Sequence, residues 1–199
     1  MKTAILSTLA AAIIFVASSF TSKDVTGVFT ANTSKSTVAW LGKKVTGEHN
    51  GFIAVKTASL DVQKSELKGG SFEIDMTSIT NEDLTDEGYN KKLVDHLKSD
   101  DFFGVEKYPT AKFVITNVEP KSGNDYTITG KITIKERTEE ITFPATVTIG
   151  ESEVTASAKV VIDRSKFDVK YGSGSFFDGL GDKMIYDDFE LDIKIVASN

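Results

Sequence analysis

The chain has 199 residues, room for a single domain. Its 23 Lys and Arg stand against 29 Asp and Glu, and a net charge of −6 argues against a surface built to grip nucleic-acid phosphates. With no cysteine and only two histidines, His49 and His96, the sequence excludes disulfides, thiolate metal sites, Cys nucleophiles, acylated-Cys anchors and a three-His zinc site.

The first element reads as a secretory signal over residues 1–19, with cleavage permitted as far as residue 22. Lys2 is its charge. Ala4 to Ala17 is a small and apolar run broken only by Ser7 and Thr8, and Val16-Ala17-Ser18-Ser19 places small residues before a cut. At about 14 residues the run falls short of the roughly 20 that span a bilayer. An uncleaved anchor is the alternative.

From Gly27 onward the period is two. Val38 to Lys44 and Phe52 to Leu60 alternate weakly, with His49 at a turn-like junction between them in Gly47-Glu48-His49-Asn50-Gly51. A joint is expected at Lys68-Gly69-Gly70, followed by a strand with Phe72, Ile74 and Met76 on one face. The spacing of Leu93, Val94 and Leu97 predicts a helix of two to three turns between Tyr89 and Ser99. Ala111 to Val118 is a weaker strand. Clear ones follow, with inward sets Tyr126/Ile128/Gly130/Ile132/Ile134, Ile141/Phe143/Ala145/Val147/Ile149, Val154/Ala156/Ala158/Val160/Ile162 and Phe189/Leu191/Ile193/Ile195. Turns fall at Ser122-Gly123-Asn124-Asp125 and Ile149-Gly150-Glu151-Ser152, and Gly172 to Gly181 reads as a mobile loop. About eight antiparallel strands, each with one apolar and one polar face, fit a closed barrel or a sandwich.

Small residues on the apolar face, namely Gly130, Ala145, Ala156 and Ala158, leave interior volume. Either that volume is a ligand cavity, or Phe72, Phe113 and Phe143 fill it. Polar handles for a ligand head are few. His49 is one, unless it is structural. Arg164 is another, unless it pairs with Asp163 or Asp168. His96 reads as a packing or capping residue. Phe102-Phe103 anchors the helix, while Phe176-Phe177 forms a lid, a plug or a membrane-dipping pair. No calcium loop, P-loop, nucleophile elbow or dinucleotide fingerprint occurs in a supporting context, and the acidic runs read as solvated loops without a metal.

Several stretches together carry a resemblance: Trp40, Gly47-Glu48-His49-Asn50-Gly51, Leu67 to Ile79, His96-Leu97-Lys98-Ser99-Asp100-Asp101-Phe102-Phe103, Tyr108-Pro109-Thr110-Ala111-Lys112-Phe113 and Ile162-Asp163-Arg164. Over residues 27–197 the chain resembles the YceI-like family. The resemblance implies an all-β, lipocalin-like extended antiparallel barrel of about eight strands with one short helix. It also implies a periplasmic or secreted protein that holds an amphiphilic isoprenoid-like lipid or quinone as carrier or buffer, without catalytic residues. The cavity is then expected among Trp40, Phe72, Ile74, Phe113, Ile128, Ile132, Phe143, Ala156 and Ala158. The ligand head or mouth is expected near His49, Arg164, Phe176 and Phe177, with transient membrane contact. Two alternatives are a filled-core barrel that acts through its surface and a small lipid-modifying enzyme with His49 or an acid as base.

Overall fold

The computed structural model describes residues 24–199. The expected signal segment lies outside them. Nine strands form one antiparallel sheet: β1 (Gly27–Ala31), β2 (Thr37–Lys44), β3 (Gly47–Gln63), β4 (Glu66–Asp75), β5 (Thr110–Pro120), β6 (Asp125–Ile134), β7 (Arg137–Ile149), β8 (Glu153–Asp163) and β9 (Ile185–Ser198). Each strand from β3 to β9 pairs with the next in sequence, and β2 pairs with both β3 and β9, which closes the sheet. The result is a barrel rather than a sandwich. The short β1 also lies between β3 and β9, beyond the end of β2. β1 and β2 thus share one stave, and the barrel has eight.

The alternation read from the sequence places the inner face correctly. Tyr126, Ile128, Ile132 and Ile134 of β6 are buried, as are Val154, Val160 and Ile162 of β8. One end is closely packed around Phe29, Leu60, Val62, Leu67, Val154 and Ala197. The other end is covered by the long connections.

The expected joint at Lys68-Gly69-Gly70 is not a turn. Gly69 and Gly70 lie within β4, at a bulge where the register with β3 shifts between Asp61 and Val62. The chain reverses instead at Lys64-Ser65, a two-residue hairpin with positive φ at both positions. Tertiary hydrogen bonds hold that unfavourable conformation. Lys64 N–H donates to Thr26 Oγ1 at 3.0 Å and Ser65 N–H donates to Val25 O at 2.8 Å. Lys135-Glu136 makes the same kind of turn between β6 and β7. Here the Lys135 ammonium donates to the carbonyls of Phe102 and Asp168, and burial lowers its pKa.

The predicted helix is α1 (Glu87–Lys98). Asp86 caps it by accepting from Tyr89 N–H at 2.9 Å, and Glu87 and Lys98 complement the helix dipole. The α1 segment lies across the loop-covered end. The His96 ring packs edge-on against Tyr171 at 4.4 Å and against Phe102 at 5.8 Å, as a packing residue does.

Candidate functional site

The barrel interior holds two chambers. The first has a cavity volume of about 130 Å³, and its walls include Phe72, Phe113, Ile128, Phe143, Ala145, Ala156 and Ala158. The second has about 140 Å³ beneath the covered end, and its walls include Trp40, Ile53, Leu97, Phe102, Phe103 and Phe189. Val38, Ile74, Ala111, Ile132, Ile162 and Leu191 border both, so the two lie next to each other along the barrel interior, the lumen. All nine residues expected to line a cavity face it, Trp40 in the second chamber and Phe72, Ile74, Phe113, Ile128, Ile132, Phe143, Ala156 and Ala158 in the first. An apolar cavity of about 150 Å³ stays dry and admits a benzene-sized guest.

Gly130 does not contribute room. A Cβ built there would lie 2.4 Å from the Phe113 ring and 2.6 Å from Val114 O. The ring occupies the space beside the glycine, and lies 6.1 Å from the Phe72 ring and 5.5 Å from that of Phe143. At this level aromatic bulk fills the barrel, and at Ala145, Ala156 and Ala158 it does not.

The covered end carries the polar groups. Arg164 sits in a short 3-10 turn, Arg164–Phe167, at the end of β8, and only 2% of its surface is exposed. Its Nε donates to Tyr186 O, one terminal nitrogen donates to Val169 O and Tyr171 O at 2.9 Å each, and the other donates to Ile185 O at 3.1 Å. That second nitrogen also lies 3.2 Å from Asp187 Oδ1. The contact is ionic without being an aligned hydrogen bond, so this buried carboxylate oxygen has no hydrogen-bond donor among the described residues. The Phe102 ring stacks under the guanidinium at 5.3 Å. Burial lowers the Arg164 pKa and the Asp187 charge opposes that shift. Arg164 borders the second chamber while its donors serve the protein's own carbonyls. It pairs with neither Asp163 nor Asp168.

His49 is not at a turn. It lies within β3, opposite Gly42 of β2, and borders neither chamber. Its Nδ1 is 2.8 Å from Asp83 Oδ2, and Asn50 N–H donates to Asp83 Oδ1 at 2.9 Å. Burial alone would raise the Asp83 pKa, but the hydrogen bonds from Asn50, His49 and Asn81 outweigh it and hold the carboxyl below its ordinary range. Thr80 passes so close over Gly51 that a Cβ there would overlap its carbonyl. That carbonyl accepts from Trp40 Nε1–H at 3.1 Å. The Gly47-to-Gly51 motif therefore seats the covering loop on the barrel rim. Sequence reasoning missed Asn81 and Asn90, which complete the seat. The buried Asn81 amide donates to Asn50 O, and Asn90 donates to Asn81 O and Leu84 O.

Phe176 and Phe177 border neither chamber, and each is about half exposed. Their loop is tied at its base by the fully buried Ser173, whose carbonyl accepts from both Phe N–H groups. Lys170 Nζ stands 5.2 Å from the Phe176 ring.

Among known proteins, the YceI-like domain matches residues 12–197. The chain belongs to the YceI-like family. BcnA of Burkholderia cenocepacia shares this YceI-like barrel at 29% identity, with a TM-score of 0.66 over 84% of this chain and 99% of that one. A polyisoprenoid binding domain from Saccharophagus degradans, implicated in plant cell wall breakdown, has the same fold at 12% identity. Its TM-score is 0.61 over 85% of this chain and 97% of its own. A UPF0312 protein of Shewanella denitrificans is 43% identical over 58 residues, which span 29% of this chain and 30% of the relative. The matched stretch is thus less than a third of that relative's length.

Proposed function

We propose that this YceI-like barrel is an exported, non-enzymatic carrier or buffer that holds an amphiphilic isoprenoid-like lipid or quinone with its tail in the lumen. The observation that carries the reading is the lumen itself, two adjoining chambers with apolar walls inside a closed barrel. The occurrence of the same barrel in a polyisoprenoid binding domain supports it. So does the sequence of residues 1–19, which reads as a signal for export to the periplasm or outside the cell. No helix among the described residues is long and apolar enough to cross a membrane.

Magnitudes constrain the mechanism. Moving a roughly forty-carbon tail out of water at about 0.8 kcal/mol per methylene would release some 30 kcal/mol. That exceeds the roughly 18–21 kcal/mol ceiling on measured affinities. The donor and acceptor are therefore membranes. Tail transfer between lipid and barrel is nearly neutral, and the head group and the entry route set the exchange. A chain longer than a few carbons must also swing the Phe72, Phe113 and Phe143 rings aside, because each chamber admits about one ring-sized guest.

The head group rests at the covered end, near Trp40, Asp188 and the carbonyls around Arg164. Arg164 shapes this region as a positioning residue, and His49 acts through the Asp83 loop. Phe176 and Phe177 touch the bilayer during exchange. The test is expression of the full chain in a Gram-negative host, followed by purification from the periplasm, organic extraction and mass spectrometry. A co-purifying isoprenoid and a mature N-terminus between Ser19 and Lys23 are expected. Protein that carries no lipid and takes up no polyprenyl probe would refute the carrier.

A further inference from the structure

The barrel wall is incomplete at one place. The β6–β7 ladder runs the full length of both strands, to Ile134 opposite Arg137, and the β8–β9 ladder runs to Asp163 opposite Asp188. The β7–β8 ladder between them stops at Ala145 opposite Ala158. Beyond that pair, residues 137–144 of β7 and 159–163 of β8 are not bonded to one another. At about 3.3 Å per residue the unzipped stretch is roughly 15–20 Å long. Its far end is crossed by Arg137 reaching to Asp168 at 3.7 Å.

Proline explains why the ladder ends there. Val147 N–H donates to Asn124 O, on the β6 side. By the two-residue period, odd positions of β7 then direct their N–H groups to β6 and even positions direct theirs to β8. Pro144 is the even position next in line. It should donate to Lys159 in the continuing register, and it has no N–H to give.

The wall is also thin at the top of this slot. A depression of about 600 Å³ on the outer surface is bordered by Pro144, Ala145, Ser157, Ala158 and Lys159, among others. Ala145, Ser157 and Ala158 border the first chamber from within as well. Between outside and lumen stand two alanines and a serine. Along the slot, Val161 presents an apolar side chain to the exterior at 60% exposure.

We propose that the slot between β7 and β8 is a lateral portal through which the apolar chain of a membrane lipid enters and leaves the lumen sideways. The proposal rests on the carrier reading above. Parting these strands breaks no ladder hydrogen bond, whereas parting any other neighbouring pair at this depth breaks several. The lipid tail slides between Phe143 and Val160 into the first chamber while its head travels outside the wall, along the slot toward the covered end.

The native chain has no cysteine, so a bridge across the slot is easily read. Thr142→Cys with Val161→Cys places two outward thiols opposite each other in the continued register. They are closed by oxidation or, where the strands stand too far apart, by a short bismaleimide, and mass spectrometry verifies closure. Transfer of dansyl-geranylgeraniol from phosphatidylcholine vesicles is followed by stopped flow. Closure is expected to slow uptake and release equally, by about tenfold or more, as gating of an access route does. The Kd stays the same, because the end states are unaltered. Reductant restores the rates of the disulfide form. Pro144→Val, which supplies the missing N–H, is expected to slow exchange in the same direction without a crosslink. Equal rates in open and closed forms, or a change in one rate alone with the Kd shifted to match, would overturn the portal and leave the carrier standing. Wild-type protein that takes up no probe would overturn the carrier itself.

Discussion

Ala156→Phe distinguishes a hollow barrel from a packed one. Ala156 is on the inner face of β8, opposite Val147 and Ile195, and borders the first chamber. An empty cavity costs about 24 cal/mol per Å³. For the chamber's 130 Å³ that is about 3 kcal/mol. A phenylalanine ring recovers much of this, and its fit into an imperfect space costs about 1–3 kcal/mol. The net is a gain of about 0–2 kcal/mol, a rise in Tm of roughly 0–8 °C for a domain of this size. In a solid core the same change has no cavity to fill and lowers Tm by about 2–12 °C. The comparison needs organic-extracted protein, because bound ligand stabilises the native state by mass action. Circular dichroism gives Tm, and quenching of Trp40 by a polyprenyl probe gives binding. Weakened binding with unchanged or raised Tm is expected. A fall in Tm beyond about 5 °C with binding intact would refute the hollow lumen.

Arg164→Met should destabilise the protein by about 3–5 kcal/mol, as removing one partner of a buried ion pair does, since it strands four carbonyls and Asp187. Arg164→Lys should restore little, because an ammonium cannot reach those carbonyls in a fork, and a loss under 1 kcal/mol in urea titration would refute the staple. The depressed Asp83 pKa means that its stabilisation is present above the unfolded value, near pH 4, and is lost as pH falls through the lower folded value. Asp83→Asn should therefore flatten the acid limb of the stability curve below pH 4, and an acid limb as steep as wild type would contradict the assignment. Phe176→Ser with Phe177→Ser should leave Tm within about 2 °C and reduce co-sedimentation with vesicles, and undiminished co-sedimentation would remove the pair from membrane contact.

Much of the barrel was legible because a strand wet on one face and dry on the other writes its orientation with period two. Ala156 and Ala158 were read as lumen residues for that reason. Gly130 carried the same signal and falls to the other alternative, filling by Phe113, since a glycine looks alike in sequence whether it borders a void or lies under a ring. The turns at Lys64-Ser65 and Lys135-Glu136 escaped because neither contains the Gly or Asn that positive φ favours. Hydrogen bonds that the turn residues donate to Thr26, Val25, Phe102 and Asp168, distant in sequence, hold them. Arg164 and His49 looked like free polar handles because Asp83 and the two β9 carbonyls lie 21 to 34 residues away, and the nearer partners of Arg164, the carbonyls of Val169 and Tyr171, are backbone groups that no residue type announces. The break in the β7–β8 ladder had one visible sign, Pro144 in an otherwise regular strand, but its meaning depended on which neighbour the missing N–H faced.

The way the sheet closes has a consequence for how the chain folds. From β3 to β9 every pairing joins consecutive strands, so each forms as a hairpin or, for β4–β5 and β8–β9, across a loop far shorter than the seam's. The seam differs, because Trp40 meets Leu191 across 151 positions of chain. The length-dependent entropy of closing a loop of about 150 residues is roughly 4 kcal/mol, and little of it can be recovered until the seam is made. The meander should assemble first and curl, and β2 should dock on β9 late. In φ-value terms, Leu191→Ala should accelerate unfolding and leave the refolding rate nearly unchanged, while Ile128→Val in the β5–β7 meander should slow refolding.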